Sequence, residues 1–210
     1  MKVELKHVSK NIKGSMVLDD INVELNGGKI YGIQGVNGSG KTMMMRVISG
    51  LVRASVGEVV IDGKIIGKDI SFPESIGLLI ENPGLIMNYT GFENLRTLAD
   101  VNNIVDDEEI RNLLRKLNLN PDDKKKVKKY SLGMKQKIGI AEAFLENPDL
   151  LILDEPFNAL DSKSVEIVNG MIKEYKNNDR VIIVTCHDKQ MLTELCDEII
   201  LMEEGKIVEA

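Results

Sequence analysis

A glycine-rich stretch of the sequence, GVNGSGKT, has the residue types and spacing of a phosphate-binding loop. It lies between an apolar segment, KIYGIQ, and the helix-forming segment TMMMRVIS. Glycines let backbone N–H groups turn inward around phosphate oxygens, in conformations that are costly for residues with a Cβ atom. The side chain of Lys41 would supply positive charge to the outer phosphates, and the Thr42 hydroxyl would bind Mg²⁺. The residues predicted to surround the phosphates are Gly35, Val36, Asn37, Gly38, Ser39, Gly40, Lys41 and Thr42.

Two adjacent acids, Asp154 and Glu155, follow the apolar run LLIL. Successive residues of a strand point to opposite sides, so the two carboxylates can have different roles. Beside a phosphate loop, Asp154 would help to bind Mg²⁺ and Glu155 would polarise an attacking water. Alone, the pair could be a solvated strand end before a proline turn, but the phosphate loop favours the catalytic interpretation.

A histidine and a serine complete the set of candidate residues. His187 follows the apolar run VIIVTC. A histidine in this position is more often structural, but ligands collect at the carboxyl ends of strands in open α/β sheets, which favours a catalytic role. Ser131 is a good N-cap, and a helix that begins there directs free N–H groups towards an anion.

The surrounding elements predict an α/β protein. Short strand-like runs alternate with helical ones, which is typical of a mostly parallel sheet wrapped by helices. VELKHVS, VLDDINVEL and a third strand after the Gly27 and Gly28 turn suggest a small antiparallel layer beside the main sheet. Amphipathic helical periodicity replaces the strand signal at residues 89–147. We therefore expect a single domain over residues 1–210, with residues 89–147 as a helical subdomain and residues 1–88 and 148–210 as the core.

Composition limits the possible functions. The net charge of −6 argues against a nucleic-acid binder, which usually neutralises phosphates with clustered Lys and Arg. Two cysteines, Cys186 and Cys196, suit neither a disulfide framework nor a metal-ligand pattern, which fits a reducing cytoplasm. Because no secretory signal or membrane-spanning apolar run is present, we expect any membrane role to depend on a partner.

Taken together, the motifs resemble those of the nucleotide-binding subunit of an ATP-binding cassette (ABC) transporter, over essentially the whole chain. GVNGSGKT resembles the Walker A loop, YSLGMKQ the LSGGQ signature, LLILDE the Walker B strand with its catalytic glutamate, and NALD the D-loop. His187 is similar to the switch histidine. The resemblance implies the ABC ATPase fold, a P-loop NTPase core of the RecA-like type with an antiparallel β layer and a helical insert. It also implies that two cassettes pair head to tail, so that Ser131 and Gly133 of one complete the ATP site of the other.

Departures from the family pattern point to a subgroup. Leu132 and Met134 replace a glycine and the glutamine of LSGGQ. The resulting form, YSLGMKQ, resembles that of bacterial export cassettes of the bacitracin-resistance and lantibiotic-immunity type. Ile12 aligns with the aromatic residue that usually stacks on adenine, and an aliphatic side chain there has no π face. Glu81 replaces the Q-loop glutamine. We expect it to bind Mg²⁺ and to sense the γ-phosphate.

The sequence therefore predicts an ATPase subunit that uses ATP and Mg²⁺ to drive a separate transmembrane permease, in the export direction. The resemblance implies a homodimer or paired cassette with two shared ATP sites, on the inner face of the cell membrane. One alternative is a soluble ABC ATPase acting on DNA or ribosomes, although the chain has neither a long coiled coil nor a second cassette. Another is a non-hydrolysing regulatory nucleotide binder, which the presence of Glu155 and His187 disfavours.

Overall fold

Strands and helices alternate along most of the chain in the computed structural model, which describes residues 1–209. The strands are β1 (Lys2–Ile12), β2 (Ser15–Asn26), β3 (Lys29–Gln34), β4 (Val56–Ile61), β5 (Lys64–Ile65), β6 (Ile76–Leu79), β7 (Leu150–Leu153), β8 (Val181–Thr185), β9 (Glu198–Glu203) and β10 (Lys206–Glu209). The helices are α1 (Lys41–Ile48), α2 (Gly91–Asn102), α3 (Asp107–Lys116), a 3₁₀ turn (Val127–Lys129), α4 (Leu132–Phe144), α5 (Ser162–Tyr175) and α6 (Lys189–Leu195). Within residues 1–209, none of these helices is long and apolar enough to cross a bilayer.

The N-terminal region forms an antiparallel sheet of four strands, in the order β2-β1-β4-β5. The antiparallel layer was correctly predicted, but its third strand was not. The strand after Gly27 and Gly28 is β3, which leaves this layer and joins the main sheet, while β4 takes the place beside β1. β3 joins the main sheet because its side chains are buried on both faces. In β3 the residues from Ile30 to Ile33 are all buried, as expected of a parallel central strand rather than an edge of a half-exposed layer.

The main sheet has six strands in the order β10-β9-β3-β8-β7-β6. The strands from β9 to β6 are parallel, and β10 is antiparallel to β9. β7 and β8 are buried along their whole length. Because β3, β8, β7 and β6 run in the same direction, the segments after them meet at one edge of the sheet. This edge therefore collects the phosphate loop, His187, the Asp154–Glu155 pair and Glu81.

Two apolar cores cover the two faces of the main sheet. One packs the antiparallel sheet and α1 against the side chains of Tyr31 and Ile33, and it contains the fully buried Met44 and Met45. Met44 and Met45, which follow the phosphate loop, are thus packing residues. The other core joins α2 to α6 with the opposite face of the sheet. α1 is consequently anchored by its apolar face, which fixes the position of the loop that precedes it.

Residues 89–147 contain helices and no strand, as their periodicity predicted. Capping boxes begin two of the helices, between Thr90 and Glu93 for α2 and between Asp106 and Glu109 for α3. α4 packs directly on the main sheet, where a Cβ atom on Gly139 would lie 2.9 Å from a Leu79 methyl carbon. The core of the helical region is therefore continuous with that of the sheet.

Candidate nucleotide site

The phosphate loop connects β3 to α1 in conformations that require glycine. Gly38 and Gly40 have φ angles of 84° and 107°, in the left-handed region. A Cβ atom on Gly35 would lie 2.4 Å from Ser39 Oγ, so the chain could not close here with a larger residue. No side chain caps the N-terminus of α1 at Gly40. The N–H groups of its first turn are therefore available to an anion.

Lys41 is held inside this loop. Its Nζ atom donates hydrogen bonds to the carbonyl oxygens of Gly35 at 2.7 Å and Val36 at 3.0 Å. An ammonium group has three donors, so one remains for a phosphate oxygen. The Ser39 hydroxyl is buried and has no hydrogen-bond partner among residues 1–209. The loop thus carries unsatisfied donors suited to a phosphate.

Asp154 lies in a buried network with two threonine hydroxyls. Thr42 Oγ1 donates to Asp154 Oδ2 at 2.8 Å, and Thr185 Oγ1 donates to Asp154 Oδ1 at 2.6 Å. The strand register explains the meeting, since β8 lies between β3 and β7 and pairs with both. A hydroxyl and a carboxylate side by side are the hard oxygen ligands that Mg²⁺ prefers. The Thr42–Asp154 pair therefore fits a magnesium ion bound at the phosphate loop.

Residues 1–209 contain no group of three or more His, Cys, Asp and Glu side chains placed to hold a metal ion. Mg²⁺ commonly needs few protein ligands, because substrate phosphates and water complete its coordination. At such a site, Thr42 and Asp154 would hold the metal together with the phosphates of a nucleotide.

Glu155 and His187 contact each other at the sheet edge. Glu155 Oε2 accepts a hydrogen bond from the backbone N–H of His187 at 3.2 Å, and its Oε1 lies 3.5 Å from His187 Nε2. The Oε1 atom is buried and has no hydrogen-bond partner among residues 1–209. Burial raises the pKa of this carboxyl above its ordinary value, and the charges of His187 and Lys41 oppose that rise. A buried carboxylate oxygen with an unused lone pair can accept a proton from water.

Glu81 forms an ion pair with Arg46 rather than with a group of the phosphate loop. Its Oε1 lies 2.8 Å from Arg46 Nη2, and 59% of the Glu81 side chain is exposed. Arg46 is four residues after Thr42 in α1, so both side chains lie on the same face of that helix. Both Glu81 and Arg46 line the cleft described below, as Thr42 and Asp154 do. The predicted contact of Glu81 with Mg²⁺ stays a prediction.

Ser131 is the N-cap of α4, as the sequence indicated. Its hydroxyl accepts a hydrogen bond from the N–H of Met134 at 3.2 Å. Gly133 lies against the D-loop, where an added Cβ atom would be 2.6 Å from the carbonyl oxygen of Ala159. Between them, the Leu132 side chain is 73% exposed. The start of α4 thus presents an apolar side chain and a capped N-terminus at the surface.

Ile12 lies at the end of β1 and is 39% exposed. Six of the candidate residues do not line the cleft described next: Ile12, Gly35, Val36, Ser39, Ser131 and Gly133. The predicted contact of Ile12 with the base stays a prediction.

A cleft of ≈ 780 Å³ joins the other candidate residues. It extends from the phosphate loop and Asp154, past Glu155 and His187, to Glu81 and the first turn of α4 at Leu132, Lys135 and Gln136. Its volume lies within the range of small-molecule sites. The sheet edge and the helical region therefore enclose one continuous pocket.

Sequence reasoning missed three polar residues of this site. Thr185 ends a strand next to β7, so a strand-order prediction could have placed it beside Asp154. Gln136 lies within the YSLGMKQ motif but received no role, although its Nε2 donates to the carbonyl oxygens of Glu155 at 3.1 Å and Pro156 at 3.2 Å. Arg46 lies four residues after Thr42, and this helical spacing could have placed both side chains on the same face of α1.

The sequence matches known proteins along most of its length. A family described as ABC transporter matches residues 18–158. The chain is 42% identical over 205 residues to the uncharacterized ABC transporter ATP-binding protein YybJ of Bacillus subtilis, covering 98% of this chain and 94% of that one. It is 32% identical to the lantibiotic transport ATP-binding protein SrtF of Streptococcus pyogenes, covering 98% and 89%. It is 34% identical to the bacitracin transport ATP-binding protein BcrA of Enterococcus faecalis, covering 99% and 68%.

Solved structures share the fold. An ATP-binding subunit of an ABC transporter superposes with a TM-score of 0.89 at 28% identity, covering 100% of this chain and 89% of that one. The ATP-binding cassette MJ0796, solved as a dimer in a post-hydrolysis state bound to ADP and Pi, superposes with a TM-score of 0.88 at 24% identity, covering 99% and 97%. The predicted fold class is confirmed. The chain belongs to the ABC transporter family and is an ATP-binding cassette ATPase of that family.

Proposed function

We propose that this protein is the ATP-hydrolysing subunit of an ABC exporter, which couples MgATP binding, dimerisation and hydrolysis to substrate movement through a separate membrane permease. Family membership gives the class of protein. The observation that carries the proposal is the cluster at the sheet edge, where Thr42, Asp154, Glu155 and His187 lie together beside the phosphate loop. The phosphate that this loop would hold is that of ATP.

The phosphate loop is proposed to bind the nucleotide through residues 35–42. Backbone N–H groups at the start of α1 would point at the phosphate oxygens, and the Lys41 ammonium group would give its remaining donor to them. Thr42 and Asp154 would hold Mg²⁺, which when bound supplies positive charge that offsets the developing charge on the phosphates. The Thr185 hydroxyl keeps the Asp154 carboxylate oriented towards Thr42.

Glu155 is proposed to act as the base of the hydrolysis step. Its buried Oε1 would accept a hydrogen bond from the attacking water and orient the water towards the γ-phosphate. His187 holds the other carboxylate oxygen through its backbone N–H and contacts Oε1 with its ring, so it positions the base. Ile12 would pack against the adenine base, and Glu81 would respond to the metal and the γ-phosphate.

Dimerisation is proposed to complete the site. Ser131 and Gly133 lie at the start of α4, whose N-terminus can stabilise a phosphate on a facing subunit. The MJ0796 cassette, a neighbour in fold, is a dimer in its post-hydrolysis state. This arrangement supports a homodimer or paired cassette with two shared ATP sites.

The proposed cargo is a peptide antibiotic. The relatives SrtF and BcrA are a lantibiotic and a bacitracin transport protein. The cassette itself would remain on the cytoplasmic side of the membrane, attached through its permease. A soluble ABC ATPase acting on DNA or ribosomes is the second candidate, and no contact in the site favours it over transport.

The test is a pair of substitutions in the purified protein. Glu155→Gln keeps the shape of the side chain and removes its charge, so we expect ATP affinity within about twofold of wild type, turnover lowered by about 100-fold or more, and an ATP-bound dimer on gel filtration. Lys41→Ala removes a charge from the phosphate loop and should weaken ATP binding itself. Near-normal hydrolysis by the Glu155 variant would overturn the proposed role of this residue.

The transport role needs a cellular readout. Cells that express the cassette with its permease should tolerate more lantibiotic or bacitracin than cells that express the Glu155→Gln variant with the same permease. Equal tolerance to both peptides would remove the proposed cargo while leaving the ATPase proposal intact.

A further inference from the structure

One buried glutamine, Gln136, joins α4 to the backbone of the proposed base. It lies in the second turn of α4, is 9% exposed, and its Nε2 donates to the carbonyl oxygens of both Glu155 and Pro156, at 3.1 and 3.2 Å. An amide nitrogen has two donors, and these two carbonyls use both. These two hydrogen bonds fix the positions of two successive peptide units, those after Glu155 and Pro156, relative to the helix.

The backbone of Glu155 needs this support. Its φ angle of 50° lies in the left-handed region, which is unfavourable for a residue with a side chain. Its N–H donates to Thr185 Oγ1 at 2.8 Å, and its carbonyl oxygen accepts from Asn158 N at 3.2 Å as well as from Gln136. Thr185 thus holds the peptide on the sheet side, and Gln136 holds it on the side of α4.

The first turn of α4 touches the same segment at a second point. Gly133 lies so close to Ala159 that an added Cβ atom would be 2.6 Å from its carbonyl oxygen. The segment from Glu155 to Ala159 is therefore in contact with α4 at both ends. A shift of α4 along its axis would move the carbonyl oxygen of Glu155.

We propose that Gln136 is a positioning residue for Glu155, and that it connects the signature end of α4 to the catalytic carboxylate of the same subunit. The inference rests on the proposed function, in which Glu155 is the base and the start of α4 serves the ATP site of a second copy. Gln136 donates to the backbone of Glu155 and makes no hydrogen bond with its carboxylate or with Ser131. It acts by holding the Glu155 peptide in a strained conformation that directs the carboxylate towards His187.

Two substitutions separate the hydrogen bonds from the packing. Gln136→Leu keeps most of the volume and removes both donors. Gln136→Glu keeps the shape and places a carboxylate against two carbonyl oxygens. We expect kcat to fall by about tenfold in the leucine variant and further in the glutamate variant, with the affinity for a non-hydrolysable ATP analogue within about twofold of wild type. A packing role predicts the reverse order, because glutamate is the closer match in shape.

A second measurement excludes damage to the dimer interface. In the Glu155→Gln background, ATP should still drive dimerisation when Gln136→Leu is added, because Ser131 and Gly133 are unchanged. If Glu155→Gln alone fails to dimerise, the proposed function fails. If Glu155→Gln dimerises and the double variant does not, Gln136 acts through the interface, and the positioning role is overturned.

Gln190 provides the matched control. It is an exposed glutamine on α6 whose Nε2 donates to Glu194 at 2.9 Å. Gln190→Leu makes the same chemical change away from Glu155 and should leave kcat unchanged. A kcat for Gln136→Leu equal to that of wild type would overturn the inference, as would a fall in nucleotide affinity that matches the fall in kcat.

Discussion

Thr185 connects two neighbouring acids that have different proposed roles. Its hydroxyl donates to the Asp154 carboxylate and accepts from the N–H of Glu155, and the residue is fully buried. One hydroxyl therefore fixes both the side chain that would hold the metal and the peptide that carries the base. Threonine suits this position, since its β-branched side chain has few accessible rotamers in a strand.

Replacing Thr185 by valine should affect stability and activity together. The substitution preserves shape but leaves a buried carboxylate oxygen and a buried N–H without a partner, which costs about 2–3 kcal/mol in the free energy of unfolding. We also expect kcat to fall by at least about tenfold. Urea denaturation and steady-state ATPase assays measure both effects. Thr185→Ser, which keeps the hydroxyl, should lie close to wild type, and equal losses in the two variants would contradict this explanation.

The Arg46–Glu81 ion pair, unlike the buried Thr185 contacts, is partly exposed and should contribute little to the free energy of unfolding. Pairs with this exposure contribute about 0–1 kcal/mol, so Glu81→Ala should barely change the free energy of unfolding. If Glu81 senses the metal and γ-phosphate for the permease, the alanine variant should keep ATP binding and lose transport. Comparison of Glu81→Gln and Glu81→Ala, in the isolated subunit and with its permease, measures the coupling. Wild-type transport by the alanine variant would end the idea.

At the scale of elements, periodicity predicted the types of segment but only part of their pairing. The helices of residues 89–147 and the strands β7 and β8 have strong apolar patterns and were predicted. The assignment of β3 to the antiparallel layer was wrong, and β4 and β6 received no prediction. Pairing depends on contacts between distant segments, which local patterns do not specify. For the same reason the phosphate loop and the acids were found from sequence, whereas Gln136 and Arg46 were not.

α4 contains a glutamate, Glu142, whose ionised form is disfavoured by burial. Glu142 is partly buried, its carboxylate makes no hydrogen bond or ion pair with residues 1–209, and desolvation raises its pKa to about 7. A folded-state pKa above the unfolded value of 4.5 means that the folded protein binds the extra proton. The ionisation of Glu142 therefore lowers the free energy of unfolding as the pH rises from about 4.5 to about 7.

Removing the charge of Glu142 should recover this stability. We expect Glu142→Gln to raise the free energy of unfolding by about 1–3 kcal/mol at pH 8 and to change it little at pH 5. Urea denaturation at several pH values gives the comparison. Glu166→Gln, at an exposed position on α5, controls for the change in net charge. A gain for Glu142→Gln that is the same at both pH values would show that burial of the charge is not its cause.

At the scale of the whole molecule, the two apolar cores leave one edge of the main sheet uncovered, and the candidate site occupies that edge. The antiparallel sheet and α1 fix the phosphate loop from one face, and α4 extends over the acids from the other. Each face thus contributes one wall of the cleft. Relative movement of these walls would change the distance between the phosphate loop and the start of α4.

Leu132 tests whether the start of α4 meets a second copy of the protein. Its side chain is 73% exposed, so Leu132→Asp has few contacts to lose and should leave the free energy of unfolding within about 0.5 kcal/mol of wild type. A charge placed in an interface without a partner is costly, and it would also oppose the phosphates of the bound nucleotide. In the Glu155→Gln background, Leu132→Asp should therefore abolish the ATP-driven dimer on gel filtration. Val101→Asp, at a position 72% exposed on α2 and outside the cleft lining, should leave the dimer intact. If both variants dimerise like the parent, Leu132 lies outside the interface and the head-to-tail arrangement is wrong for this protein.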